Sequence, residues 1–134
     1  MECRVILLDT HAVIWLLLTP AQLSKSARRR IMEARIAGER IACSPISLYE
    51  MAYSAFRERM QLPTSTANFI AAVQAKIELA PFTAQIAQCA AELPAPFHGD
   101  PMDRIITATA IVEGCTLITR DEKIRNANLC KVIW

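Results

Sequence analysis

No CxxC pair occurs anywhere in the chain, and its five cysteines (Cys3, Cys43, Cys89, Cys115 and Cys130) form an odd, widely spaced set. That pattern argues against a disulfide framework and against a zinc site, and marks the thiols as reduced core residues. Low-complexity stretches, internal repeats and linker-like segments are also missing, which excludes disordered and fibrous classes. The 134 residues therefore read as one domain spanning 1–134. The most apolar stretch, Val5 to Leu18, is interrupted by Asp9 and His11 and lacks the basic flank and cleavage site of a signal peptide. A cytoplasmic protein without membrane association is expected. A large excess of one charge is absent too: the formal net charge is +2, too small by itself to announce a polyanion partner. Much of the positive charge lies in Lys25-Ser26-Ala27-Arg28-Arg29-Arg30, followed by Arg35 and Arg40, and such a run on a helix ordinarily makes a solvated face.

What is present is an alternation of short apolar runs with helical patterns. Arg4 to Leu8 suits a strand buried on both faces and ends at Asp9. Thr10 to Leu18 reads as a helix stopped near Pro20, and Ser24 caps a second helix that runs to Gly38. Ile41 to Cys43 is a second strand. Pro45 then opens a helix expected to reach about Arg59, with Ile46, Tyr49, Tyr53 and Phe56 at helical spacing and Glu50 inside it. Thr64 or Ser65 caps a helix through Lys76, Ile77 to Phe82 resembles a third strand, and Thr83 to Leu93 a further helix. After a loop over Leu93 to Gly99, Asp100-Pro101 opens a helix ending at Gly114. Cys115 to Thr119 is a strand leading to Asp121, and Lys131 to Ile133 a last one. The alternation implies βαβ units: an α/β chain with a mostly parallel sheet of about five short strands between two helical layers.

Only four aspartates occur, Asp9, Asp100, Asp103 and Asp121, each where a strand or loop gives way to a helix. Singly, each has an innocent role, because Asp is a favoured N-cap and complements the helix dipole. Jointly they say more. Asp9 and Asp121 follow apolar strands, and ligands of open parallel sheets gather beyond the carboxyl ends of strands. Glu50 has Ile46, Ser47, Tyr53 and Ser54 as helical neighbours, an uncharged face on which a surface Glu is unexpected. Carboxylates about 4 Å apart repel by roughly 4 kcal/mol at an effective dielectric of 20, so a shared pocket needs a proton or a cation. An all-oxygen donor set selects Mg²⁺ or Mn²⁺, ions that polarise a phosphoryl oxygen and activate water.

Leu8-Asp9-Thr10-His11-Ala12 with Trp15, Ser47-x-x-Glu50, His98-x-Asp100-Pro101-Met102-Asp103-Arg104 and Thr119-x-Asp121 together resemble the PIN-domain, VapC-type toxin nucleases. The blocks cover nearly the whole chain in the family's order. The resemblance implies a three-layer α/β/α fold and Mg²⁺ or Mn²⁺ held by Asp9, Glu50, Asp103 and Asp121. It also implies endonucleolytic cleavage of RNA, a cognate antitoxin protein as partner, and a homodimer. The chain departs from the family at Met102, where Phe is usual, and at Tyr49, where Trp is usual; both keep apolar bulk and no acid is lost. Thr10, Asp100, Arg104 and Thr119 would stand behind the acids or bind phosphate, with local capping as the competing role for both threonines and for Asp100. His11 and His98 are expected to serve packing or loop hydrogen bonds, and Trp15 the core or an interface. A phosphoryl-accepting hydrolase or receiver domain fits less well, since the second early acid of such sites is missing, and a catalytically silent protein-binding scaffold would not need all four acids.

Overall fold

The computed structural model describes residues 4–94, 97 and 99–134. Cys3 and His98, together with Ala95 and Pro96 of the expected loop, lie outside the described residues. Five strands form one sheet in the order β3-β2-β1-β4-β5. They are β1 (Val5–Leu8), β2 (Arg40–Cys43), β3 (Glu78–Leu79), β4 (Thr116–Ile118) and β5 (Val132–Ile133). Every pairing is parallel, so the sheet is wholly rather than mostly so. The helices are α1 (Thr10–Leu18), α2 (Lys25–Ala37), α3 (Pro45–Phe56), α4 (Thr66–Lys76), α5 (Ala84–Ala91), α6 (Pro101–Glu113) and α7 (Glu122–Ala127).

Strand alternation sorts the core into two layers. Ile6, Leu8, Cys43 and Ile118 join Val13 of α1, Ile31 of α2, Met51 of α3 and Val73 of α4 on one face. Leu7, Ala42 and Leu117 point to the other, against Ile106 of α6 and Ile124 of α7. Helix α5 packs on α6 through Ile86, Ala90 and Ala108. The division follows from connectivity. The chain steps from β1 outward to β2 and β3, then returns past β1 to β4 and on to β5. Crossovers between parallel strands share one hand, so connections made in opposite directions cover opposite faces. The switch falls between β1 and β4, where open α/β sheets form a crevice at the carboxyl end.

Local chemistry fixes the helix ends. Asp9, Ser24, Ser65, Thr83 and Asp121 each accept a hydrogen bond from a first-turn amide, and Gly38 and Gly114 close α2 and α6 in the left-handed region. Helix α3 ends at Phe56 rather than near Arg59, because Glu58 takes a left-handed φ of 55° that stops the helix. The third strand shrinks from the expected Ile77–Phe82 to Glu78–Leu79, with only two residues registered against β2. Helix α7 follows Asp121, where the sequence places the start of a helix; its six residues carry too short an apolar period to give its extent in advance. The four described cysteines are free, as expected. No helix among the described residues is long and apolar enough to cross a membrane.

Candidate active site

Leu8 is in register with Cys43 on one side and Ile118 on the other, so the residues that follow, Asp9, Ser44 and Thr119, share one rim of the sheet. The Asp9 amide donates to the Ile118 carbonyl at 3.1 Å, tying the two central strands together where they end. Both Asp9 oxygens are engaged. Oδ1 accepts from the Ala12 amide at 2.8 Å as the cap of α1, and Oδ2 accepts a short hydrogen bond from the Thr119 hydroxyl. Thr119 Oγ1 in turn accepts from the Asp121 amide at 3.1 Å, while Asp121 Oδ1 accepts from the Ile124 amide at 3.0 Å. Capping and site-building are thus performed by the same aspartates.

Glu50 reaches the rim from α3. The Thr10 hydroxyl donates to Glu50 Oε1 at 2.6 Å and lies 3.0 Å from the buried Ser47 hydroxyl. A hydroxyl has one proton, so with Thr10 donating to Glu50, Ser47 is left to donate to Thr10. Ser47, one turn before Glu50, belongs to the Ser-x-x-Glu block, but the sequence alone assigns it no role. Asp100 caps α6 through the Met102 amide at 2.9 Å, leaving Asp103 in the first turn of the same helix.

These groups converge on a cavity of about 470 Å³ lined by Asp9, Thr10, Glu50, Asp100, Asp103 and Asp121, with His11, Trp15, Ile106 and Arg120 on its walls. All four acids of the expected quartet are therefore brought together, and Thr10 and Asp100 with them; Thr119 stands directly behind Asp9. Arg104 is placed differently. Its guanidinium donates to the main-chain carbonyls of Ala90 at 3.0 Å and Ala91 at 3.2 Å, which clasps the end of α5 instead of facing the cavity. The carbonyls ending a helix lack intrahelical partners, and a planar fork of donors suits them. Arg120 carries no sequence signal of its own, being the unassigned residue between Thr119 and Asp121.

Three of these carboxyls, those of Asp103, Glu50 and Asp9, have raised pKa values. Burial pushes the Asp103 pKa up to about 7, helped by the charges of Asp100, Asp121, Glu50 and Asp9. Glu50 is raised chiefly by burial, against the opposing Thr10 hydrogen bond, and Asp9 chiefly by burial, against those from Thr119 and Ala12. Among the described residues, no three His, Cys, Asp or Glu side chains stand close enough to close around an ion without moving. The donor chemistry nonetheless fits a hard divalent cation, since several carboxylate oxygens line one pocket, and burial together with neighbouring negative charge raises the pKa of Asp9, Glu50 and Asp103.

Fold and site define an open parallel α/β domain with a carboxylate centre at its switch point. The PIN domain model matches residues 6–128, and the chain belongs to that family. It is 35% identical over 121 residues, 90% of each chain, to ribonuclease VapC22 of Mycobacterium tuberculosis (strain ATCC 25618 / H37Rv). In fold it is similar to VapBC2 from Rickettsia felis bound to a DNA fragment from their promoter, with a TM-score of 0.75 at 18% identity over 97% of this chain and 98% of that one. It is also similar to DNA-bound VapBC from Salmonella typhimurium, with a TM-score of 0.72 at 19% identity over 97% of each chain.

Proposed function

We infer that this chain is a divalent-metal-dependent endoribonuclease, the toxin of a toxin–antitoxin pair, hydrolysing RNA phosphodiester bonds in the cytoplasm. The observation that carries the reading is the convergence of Asp9, Glu50, Asp103 and Asp121 on one cavity, with Asp103 held up to a pKa of about 7. Likeness to a ribonuclease over most of the chain supports the same activity.

Asp9, Glu50, Asp103 and Asp121 are the residues that would hold Mg²⁺ or Mn²⁺, which when bound lowers the pKa of water and polarises a phosphoryl oxygen. The chain's own part is positioning. Thr119 and the Ala12 amide hold both oxygens of Asp9, and Thr10 holds Glu50, which restricts the orientations either carboxylate can take as the pocket closes around an ion. Positive charge in the pocket would favour the deprotonated form of Asp103, whose pKa burial raises to about 7.

A cognate antitoxin and a second copy of the chain are the proposed protein partners. The exposed Tyr49, Tyr53 and Phe56 of α3 offer an apolar face for the second copy. The test is cleavage of single-stranded RNA by the purified protein in Mg²⁺ or Mn²⁺. EDTA, Asp9→Asn and Glu50→Gln should each reduce it to background. Undiminished cleavage by folded Asp9→Asn protein would overturn the assignment.

A further inference from the structure

The carboxylate cavity has one wall of a different character. Trp15 and the exposed Arg120 line it, and the Arg120 guanidinium carbon lies 5.9 Å from the centroid of the Trp15 ring. Although five acids line the same cavity, Arg120 makes no ion pair with any of them among the described residues. Its charge is held on an indole face, a geometry that orients the planar donors without spending them.

Trp15 also meets Trp134, with ring centroids 5.6 Å apart at 53°, and His11, with centroids 5.5 Å apart. Trp134 lines a second recess of about 450 Å³, shared with Ser26, Arg29, Arg30, Glu33 and Arg125. Arg30 is bound to Glu39 at 2.8 Å, whereas the exposed Arg29 and Arg125 form no ion pair among the described residues. The tryptophan pair thus joins an acidic cavity, which Trp15 lines, to a recess lined by Trp134 and two arginines without an ion pair among the described residues.

We propose that a single strand of RNA extends from the carboxylate centre across the Trp15–Trp134 pair into the recess of Arg29 and Arg125, with Arg120 holding a phosphate at the junction. The proposal rests on the ribonuclease reading and adds where the strand runs. Aromatic side chains alternating with backbone-tracking cations are what single-stranded nucleic acid requires, because every base has a face to stack and every linkage a charge to meet. The arrangement also gives the basic run of α2 a use beyond solubility: Arg29 faces the track and Arg30 is paired. An acidic peptide would satisfy the arginines but would gain less from the indoles, and it would not need continuity with a site for phosphodiester chemistry.

The experiment uses full-length Asp9→Asn protein and a fluorescein-labelled ladder of mixed-sequence single-stranded RNAs, read by anisotropy in Mg²⁺ at several salt concentrations. Affinity should rise with length until the track is filled. Arg29→Ala combined with Arg125→Ala, and separately Trp134→Phe and Trp134→Ala, test the far end. The double arginine variant should bind long strands roughly tenfold more weakly, leave the shortest unchanged, and lower the salt slope by about 1.4, or 0.7 per arginine. Trp134→Ala should show the same length-restricted loss and Trp134→Phe retain most of the affinity, while Arg120→Ala should weaken all lengths. Matching circular dichroism melts exclude a folding defect for the exposed arginines. Long strands bound as tightly by the double variant as by its parent, losses equal at every length, or a recess that an acidic peptide fills while RNA does not would each overturn the track. Cleavage by the wild-type protein is followed in parallel. Wild-type protein that cleaves no RNA would count against the ribonuclease reading, whereas loss of the length effect in a protein that does cleave counts against the track alone.

Discussion

Thr119 and Asp9 stand 110 residues apart in sequence, and the hydroxyl of one donates to the carboxylate of the other at the ends of neighbouring strands. This bond closes the switch point: Thr119 is fully buried, and its oxygen also accepts from the Asp121 amide. Thr119→Val, equal in shape, should therefore affect both acids. Loss of a charge-assisted hydrogen bond in a buried setting costs about 1–3 kcal/mol of stability. Loss of a group that orients a metal ligand costs roughly 10–100-fold in metal affinity or activity. Thermal melts with and without Mn²⁺, together with initial rates of RNA cleavage, check both effects. Wild-type rates in Thr119→Val would mean that Asp9 is held by its helix cap alone.

The acids also make stability depend on pH in a direction opposite to the usual carboxylate. Asp103 rises from 3.8 to about 7 on folding, so between those values the folded chain binds more protons than the unfolded one. This contribution is fully present below pH 3.8 and is lost as pH rises through about 7. Asp9 and Glu50 are shifted in the same direction. Metal-free protein should melt at progressively lower temperature as pH goes from 5 to 8. Mg²⁺ or Mn²⁺ should reverse the trend by replacing protons, and Asp103→Asn should flatten it. A melting temperature that climbs steadily over that range without metal, in wild type and Asp103→Asn alike, would refute Asp103 as the origin of the trend.

The contrast between Asp9 and Arg120 shows what the sequence can and cannot disclose. Asp9 ends an apolar run too short for anything but a buried strand, so its place at a sheet rim follows from the strand itself. Glu50 is legible because an acid on an apolar helix face demands a reason, and Thr10 and Ser47 supply it. Each aspartate is ambiguous in sequence between cap and ligand; Asp9 and Asp121 cap helices and also line the cavity, so capping does not keep them out of it. Arg120 and Trp134 are illegible, because their relevance depends on which edge of the sheet β5 joins and on where α1 then turns Trp15. The extents of the short β3 and of helix α7 escape the sequence pattern for a related reason: two or six residues are set by tertiary pairing, not by periodicity.

Arg104 supplies a stability prediction without a role at the acids. Its donors serve the carbonyls of Ala90 and Ala91, and its guanidinium carbon lies 5.9 Å from the Phe97 ring, joining α6, α5 and the segment after it. Arg104→Ala leaves those carbonyls short of donors and should destabilise the fold by about 1–3 kcal/mol. Arg104→Lys, a point charge in place of a fork, should recover only part of that. Urea unfolding compares the three proteins. Once folded, Arg104→Ala should retain metal affinity close to wild type, and a selective loss of metal binding at unchanged stability would return Arg104 to the site.

Helix α3 carries Glu50 toward the cavity and leaves Phe56 81%, Tyr49 52% and Tyr53 41% exposed elsewhere on its surface. Tyr49 and Tyr53 stack with centroids 5.9 Å apart, and Arg59 lies over Tyr53. Three neighbouring aromatics on one surface helix are an unusual apolar exposure for a monomer, and burying such side chains contributes about 1.5–3 kcal/mol each. If this face joins two copies, Phe56→Glu with Tyr49→Lys should shift the protein from dimer to monomer in sedimentation velocity. Melting at low protein concentration should change little, since neither residue is in the core. Because Glu50 lies on the same helix, cleavage by the monomeric variant shows whether pairing also sets the acid's position. A variant that stays dimeric would move the interface off α3.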